Sequence, residues 1–391
     1  MKKFLTLVLT AGLLLGALVS CGQSADTETK APDSSAQTET VGDTTEDTAA
    51  EADTTAEAAD SAETDTAAAD ALRASFLEKA EAVVVHDDSV TFTDASGKDS
   101  ITIQKNPENV VNLYASFTTL WYEAGGEVTG LIGGDSSVAL YEEYIGRDIT
   151  ADAGVTTVAT SSSGKKWDTE TIVALQPDLI ICSTAMSGYK TIEAPAEAAG
   201  IPVIAMRYND FSDYLMWFKV FANLTGHTEL WDEVALKALD EVVDVLLACP
   251  TENTPSVFSM FSSADNLQAN TSGTVVGGMI DAMHAKNIVD EWEGASEAER
   301  LDINLETVFA ADPDIILVQC HAGREDAEAL VATLYGDNPV WQSLTAVQNG
   351  KVFYLEKSLF HNKPNSRFAE AYQKLAAILY PDTTFSFQEE N

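Results

Sequence analysis

The sequence predicts an α/β protein of two similar Rossmann-like lobes, parallel sheets with flanking helices, joined by one long connecting α-helix. Three observations carry this expectation. The stretch Glu-Thr-Ile-Val-Ala-Leu-Gln-Pro-Asp-Leu-Ile-Ile at 170–181 returns as Glu-Thr-Val-Phe-Ala-Ala-Asp-Pro-Asp-Ile-Ile-Leu at 306–317, a constant offset of 136 residues without a gap. An interval of that size is a whole domain rather than a short solenoid repeat. Strands alternate with helical segments through both halves, the pattern of a parallel sheet covered on both faces. Finally, Leu230, Val234, Ala238, Val242 and Leu246 recur at helical spacing between Thr228 and Pro250. Such a helix runs about 30 Å at 1.5 Å per residue, long enough to lie along two lobes.

In chain order, Lys2 and Lys3 precede an apolar run from Phe4 to Val19, and Ser20 stands before Cys21. This resembles a bacterial lipoprotein signal with Cys21 as the lipidated residue, and an apolar core so short is below the roughly 20 residues of a membrane span. Residues 1–21 are therefore expected to be a leader. Residues 22–71 lack aromatic residues, and 24–71 carry 14 Asp or Glu against the single Lys30, so an unstructured, self-repelling acidic tether is expected there. Residues 72–211 form the expected N-terminal lobe, opening with a helix from Ala71 to Val85 and a hairpin of Val90–Thr93 with Ser100–Ile103.

The N-terminal lobe continues with a strand at Val110–Tyr114, and Ser116 caps a helix that Gly125 and Gly126 stop. Strands at Val128–Ile132, Leu179–Cys182 and Ile201–Met206 follow, with a helix near Ile192–Ala199. Residues 212–250 are the helical connector and 251–391 the C-terminal lobe. That lobe has strands at Val257–Phe261 and Val352–Leu355, a helix near Val276–Met283, and Ser366 as cap of a closing helix Phe368–Leu379.

The net charge is −40. A surface of that sign repels nucleic acid and anionic lipid, which excludes both as partners of the folded part. Cys182, Cys249 and Cys320 are widely spaced, odd in number and without a C-x-x-C pair, so they read as small buried thiols rather than a disulfide or zinc framework. No Gly-x-Ser-x-Gly, His-Glu-x-x-His, Walker or Gly-x-Gly-x-x-Gly motif is present, and no intrinsic cofactor is expected.

The leader, the tether, the two lobes and the long connector together resemble the solute-binding lipoproteins of ABC importers for iron–siderophore complexes, haem and cobalamin. The residues that carry the resemblance are Asn106-Pro-Glu-Asn-Val-Val111, the two Glu-to-Pro-Asp copies, and Asn349-Gly-Lys-Val-Phe353. It spans roughly residues 88–381 and implies capture of an iron chelate, a ferric siderophore or haem, between two lobes. It also implies a monomer that delivers its cargo to an ABC permease and its ATPase. Glu170 and Glu306 are the implied permease-docking residues, one per lobe, and each could equally serve its own helix N-terminus. The alternatives of the same importer type are a corrinoid and a bare metal ion; the competing class is an extracytoplasmic enzyme.

Open α/β sheets bind ligands at the carboxyl ends of their strands. That rule points to Tyr114, Ser116, Lys166, Trp167, Met186, Tyr189, Arg207 and Tyr208 on the first lobe. On the second it points to Asn266, Gln268, His321, Arg324, Phe360, His361, Lys363 and Arg367. Basic and aromatic side chains gathered in these loops suit a bulky anionic ligand with an apolar part. His321 and His361 are candidates for touching a metal, whereas the first lobe has no histidine between His86 and His227, which speaks against a bare-metal site shared by both lobes.

Overall fold

The duplicated Pro-Asp pair explains why the repeat exists. Asp178 accepts hydrogen bonds from the backbone N–H of Glu108 and of Asn109, both at 3.0 Å. Asp314, at the matching position, accepts from the N–H and hydroxyl of Ser256 at 2.8 and 2.6 Å. In each lobe the aspartate ties the start of its own strand to the start of the neighbouring central strand. Gln176 and Asp312, two residues earlier, share the rare positive φ that turns helix into strand.

The computed structural model describes residues 54–161, 167–385 and 387. The expected leader with Cys21, most of the tether, and Lys166 lie outside the described residues. Helix α1 (Thr54–Glu81) begins inside the segment expected to be an unstructured tether, so residues 54–71 are helical. Alanine dominates that stretch, and its helix propensity favours this local structure. Strands β1 (Val84–Val85), β2 (Ser89–Phe92) and β3 (Ile101–Gln104) form a small antiparallel sheet, one strand more than the expected hairpin.

The N-terminal lobe is a five-stranded parallel sheet of β4 (Val110–Asn112), β5 (Gly130–Ile132), β6 (Thr156–Ala159), β7 (Leu179–Ser183) and β8 (Val203–Met206), in the order β6-β5-β4-β7-β8. Its helices are α2 (Ala115–Glu123), α3 (Asp135–Ile145), α4 (Thr169–Ala174) and α5 (Tyr189–Ala199). The central strands are buried along their length, as parallel strands covered on both faces are. Helix α6 (Phe211–Thr225) follows. The connector then starts at Leu230 as a π-helical segment, Trp231–Leu236, and continues as α7 (Lys237–Ala248). It is thus not one uninterrupted α-helix. Nor does it stand alone: Phe76 of α1 meets Phe211 of α6 edge-on at 5.3 Å, and Arg73 bonds Asp240 of α7 at 2.8 Å.

The C-terminal lobe contains β9 (Ser256–Ser262), β10 (Leu267–Asn270), β11 (Lys286–Asn287), β12 (Arg300–Asp302), β13 (Ile315–Cys320) and β14 (Val352–Leu355). Strands β9, β13 and β14 are parallel, but β10 runs antiparallel to both β9 and the edge strand β12, so this sheet is mixed. Its helices are α8 (Val275–Ala282), α9 (Leu305–Ala311), α10 (Arg324–Tyr335), α11 (Pro339–Ser343), α12 (Thr345–Gln348) and α13 (Phe368–Leu379). The registers of the two lobes agree: Leu179 pairs with Val110 and Ile315 with Val257, one pairing at each copy of the repeat. No helix among the described residues is long and apolar enough to cross a membrane. Cys182, Cys249 and Cys320 are buried free thiols, and burial pushes Cys249 and Cys320 up to about 11.

Candidate ligand-binding cleft

The carboxyl ends of the strands in the two lobes face each other, and Arg300 is the residue around which the facing loops gather. It begins β12, a strand that sequence reasoning did not name. The alternation Arg300-Leu-Asp-Ile303 before the cap residue Asn304 is the signal that could have found this strand. Its guanidinium sits over the Phe261 ring at 4.1 Å, and its Nε donates to Asn270 Oδ1 at 3.1 Å. The Asn270 amide in turn donates to Gln319 at 3.1 Å and Ser259 at 3.2 Å, all fully enclosed, so Arg300 is held from below. Burial lowers the Arg300 pKa, opposed by Glu299 and Tyr114. Tyr114 is pushed up by burial, with Arg300 acting against it.

His321 and His361 lie beside this pair. Phe261 stacks on His361 with ring centres 5.5 Å apart, and His321 Nδ1 is 2.9 Å from His361 Nε2. Burial, then His321, Lys357, Arg300 and Lys363, takes the His361 ring down to about 3, so it is neutral at pH 7. Burial, Lys357 and Arg300 lower His321 as well. Lys363, 5.2 Å from the Tyr208 ring centre, is lowered to about 8, first by burial and in the opposite direction by Glu299.

Tyr114, Arg207, His321, His361 and Lys363 are thus brought to one place, joined by Arg300, Glu299, Phe261 and Lys357. Among the described residues the other expected side chains lie elsewhere, apart from Tyr208, whose ring faces Lys363. Trp167 lies in the N-terminal lobe core with Val111, Leu113 and Ile180, and Met186 and Tyr189 pack on the edge of that core. Phe360 and Tyr208 are core residues too, Tyr208 lying between Phe117 and Phe368. Aromatic residues near strand ends serve the core as readily as a ligand, and sequence position does not separate the two. Arg324 turns back to Glu328 of its own helix at 2.6 Å. Asn266 is exposed in the turn between β9 and β10, and Gln268 is on strand β10 rather than in a loop.

Ser116 and Ser366 do not cap helices. The N-cap positions fall on Tyr114 and Arg367. The segment 363–367 instead pins the C-terminal lobe to α2 and α3. The Asn365 amide donates to the Ser116 carbonyl at 3.1 Å and the Thr119 hydroxyl at 2.9 Å; Ser366 donates to Glu123 at 2.8 Å, and Arg367 pairs with Glu143. A second bridge crosses from Arg207 and Asn209 to Glu299 at 2.6 and 3.0 Å. It borders a cavity of roughly 480 Å³ lined also by Lys79, Asp210, Asp213 and Ser272. A larger cavity, roughly 600 Å³, opens at the amino ends of the N-terminal strands beside Pro107, Asp178 and Pro202, away from this chemistry.

Glu170 and Glu306 sit in the first turns of α4 and α9, at the same end of the lobes as the cleft, and both are exposed. The capping is done two residues earlier. Asp168 accepts from Thr171 N–H at 3.0 Å, and Asn304 accepts from Glu306 N–H at 2.9 Å. The helices have 6 and 7 residues, so the dipole left for a glutamate to offset is small.

A sequence model of the periplasmic binding protein family matches residues 110–359, both lobes and the connector between them. The chain belongs to the periplasmic binding protein family. It is 22% identical over 302 residues to the uncharacterized ABC transporter substrate-binding lipoprotein YvrC of Bacillus subtilis, covering 75% of this chain and 86% of that one. It is 24% identical over 278 residues to the Fe(3+)-citrate-binding protein YfmC of the same organism, covering 71% and 79%. The crystal structure of S. aureus IsdE complexed with heme has the same fold, with a TM-score of 0.56 at 16% identity over 70% of this chain and 98% of that one. This periplasmic binding protein is the substrate-binding component of an ABC importer, the kind of protein that works with a permease and an ATPase.

Proposed function

We propose that the protein captures an anionic iron chelate between its lobes and hands it to the permease without chemical change. The observation that supports this most is the cluster of Arg300, Lys357 and Lys363 around Phe261, Tyr114 and the two neutral histidines. On a chain of net charge −40, cations concentrated at facing strand ends draw an anionic ligand to that place. The partly exposed Tyr114 ring supplies contact for its apolar part. The likeness to the Fe(3+)-citrate-binding protein YfmC agrees in ligand class.

The reading includes four further parts. Glu170 and Glu306 are the two permease contacts. Cys21 carries a lipid that holds the protein outside the cytoplasmic membrane. The protein acts as a monomer, and it is not an enzyme. Its three thiols are buried with their pKa raised, which leaves none of them poised as a nucleophile.

Titration of the protein's tryptophan fluorescence with ferric siderophores, haem and corrinoids tests the ligand class. Saturable binding of an iron chelate is the expected result. Exclusive binding of a corrinoid or of free metal ions would refute it.

A further inference from the structure

The contact between α2 and the segment 363–367 contains a carboxyl group that the ligand cleft does not use. Glu123, the half-buried last residue of α2, is bonded from the other lobe by Ser366, whose hydroxyl donates to Oε1 at 2.8 Å and whose N–H donates to Oε2 at 3.3 Å. The next residue, Arg367, turns its guanidinium to Glu143 of α3 and Glu370 of α13. Beside Ser366, the enclosed Asn365 holds φ at 53°, in the left-handed region, while its amide donates to Ser116 and Thr119 of α2. A segment in that conformation is held by what it sits on, so loss of its contacts with α2 releases it.

The charged and titratable groups around Glu123 are Arg367 on the segment, Glu143 and Tyr144 on α3, Glu370 on α13, Tyr214 on α6 and Tyr208 before it. Lys363, on the same segment, faces Tyr208 instead. Burial raises the three tyrosines, and the bond to Glu370 raises Arg367, so none of these four changes charge near neutrality. Glu123 does. Desolvation in the contact pushes its carboxyl up to about 7, against the two Ser366 bonds and Arg367, whereas in water it titrates at about 4.3. The neutral acid also fits the contact: its O–H donates to Ser366 Oγ across the same 2.8 Å, and its carbonyl oxygen keeps the bond from the N–H.

We propose that Glu123 and Ser366 form a proton-operated latch between the lobes, seated while Glu123 holds a proton and loosened when Glu123 ionises. The proton taken up on seating comes from solvent and returns there on release. Below about pH 4 the seated and released forms are both protonated, and the latch has its full strength. It weakens as the pH rises, because the seated form alone keeps its proton, and it levels off above about pH 7. Between pH 6 and 8 the ratio of released to seated forms grows about tenfold. The segment also carries Lys363, so the latch couples the acidity of the medium to one wall of the cleft, whatever ligand lodges there.

Hydrogen–deuterium exchange of the purified, ligand-free protein tests this, read by mass spectrometry across that pH range and corrected for the intrinsic pH dependence of amide exchange. Peptides covering 363–367 should lose about tenfold in protection between pH 6 and 8, while those covering β13 stay constant. Glu123→Gln keeps the shape, with its carbonyl accepting from the Ser366 N–H and its amide donating to the hydroxyl. It should give high protection at every pH and abolish the fall. Ser366→Ala should keep the fall but cut protection about fivefold throughout, the loss of one hydrogen bond. Protection of 363–367 that does not change with pH, or that falls equally in Glu123→Gln, overturns the latch. Unaltered protection in Ser366→Ala overturns it as well.

Discussion

Glu299 places a carboxylate among the cations of the cleft. It bonds Arg207 and Asn209 and also acts on Lys363, Arg300 and Tyr114. An anionic ligand must compete with it for the same positive groups. Glu299→Gln is expected to raise the affinity for a ferric chelate about fivefold, the equivalent of about 1 kcal/mol, as read by fluorescence titration. Because the Arg207–Glu299 pair is largely solvent-exposed, the melting temperature should hardly move. A weaker-binding variant would show that Glu299 organises Arg207 for the ligand instead of opposing it. Glu299 and Arg300 escaped sequence reasoning because their importance is a matter of neighbours. Arg300 matters through Phe261 and Asn270, which precede it by 39 and 30 residues in the chain.

The duplicated helix–turn–strand unit is where sequence and structure agree most closely. Its periodicity and its Pro-Asp turn were legible because they are local, and the aspartate's task is the same in both lobes. Asp314→Asn should destabilise the protein by about 1–2 kcal/mol, the worth of a hydrogen bond to a charged group, in urea unfolding monitored by circular dichroism. No change would mean that water replaces the bonds to Ser256. The elements that sequence reasoning missed include short strands: β10 with 4 residues and the edge strand β12 with 3. So brief a run shows little alternation, and its pairing is set by the strand beside it. Helix α1 was misjudged at its start for the opposite reason, since composition alone looked too polar to order, while its later turns pack on α6 and α7.

For the whole molecule, two bridges limit how the lobes move. One is the 363–367 segment seated on α2 and α3, and the other is the Arg207–Glu299 contact. On the reading proposed above, delivery then depends on the exposed Glu170 and Glu306. Replacing Glu170 and Glu306 together by alanine is expected to abolish iron uptake by cells while ligand affinity stays within about twofold, since an exposed glutamate contributes little to the fold. Lost affinity in the purified double variant would sink the docking assignment. Retained uptake would do the same.

By itself the sequence determined that the chain is double, that its lobes are α/β, and that a helical stretch links them, because each of these follows from local periodicity, turn chemistry and a repeat visible at fixed offset. It also placed the loops at the carboxyl ends of the strands, since strand direction follows from the order of elements. Only the tertiary structure decided which side chains meet there. Trp167 and Phe360 went to the cores, Arg324 to its own helix, and Arg300, Phe261, His321 and His361 to one cluster. Such choices turn on distances of a few ångströms between residues far apart in the chain, and local sequence does not encode a distance across a cleft.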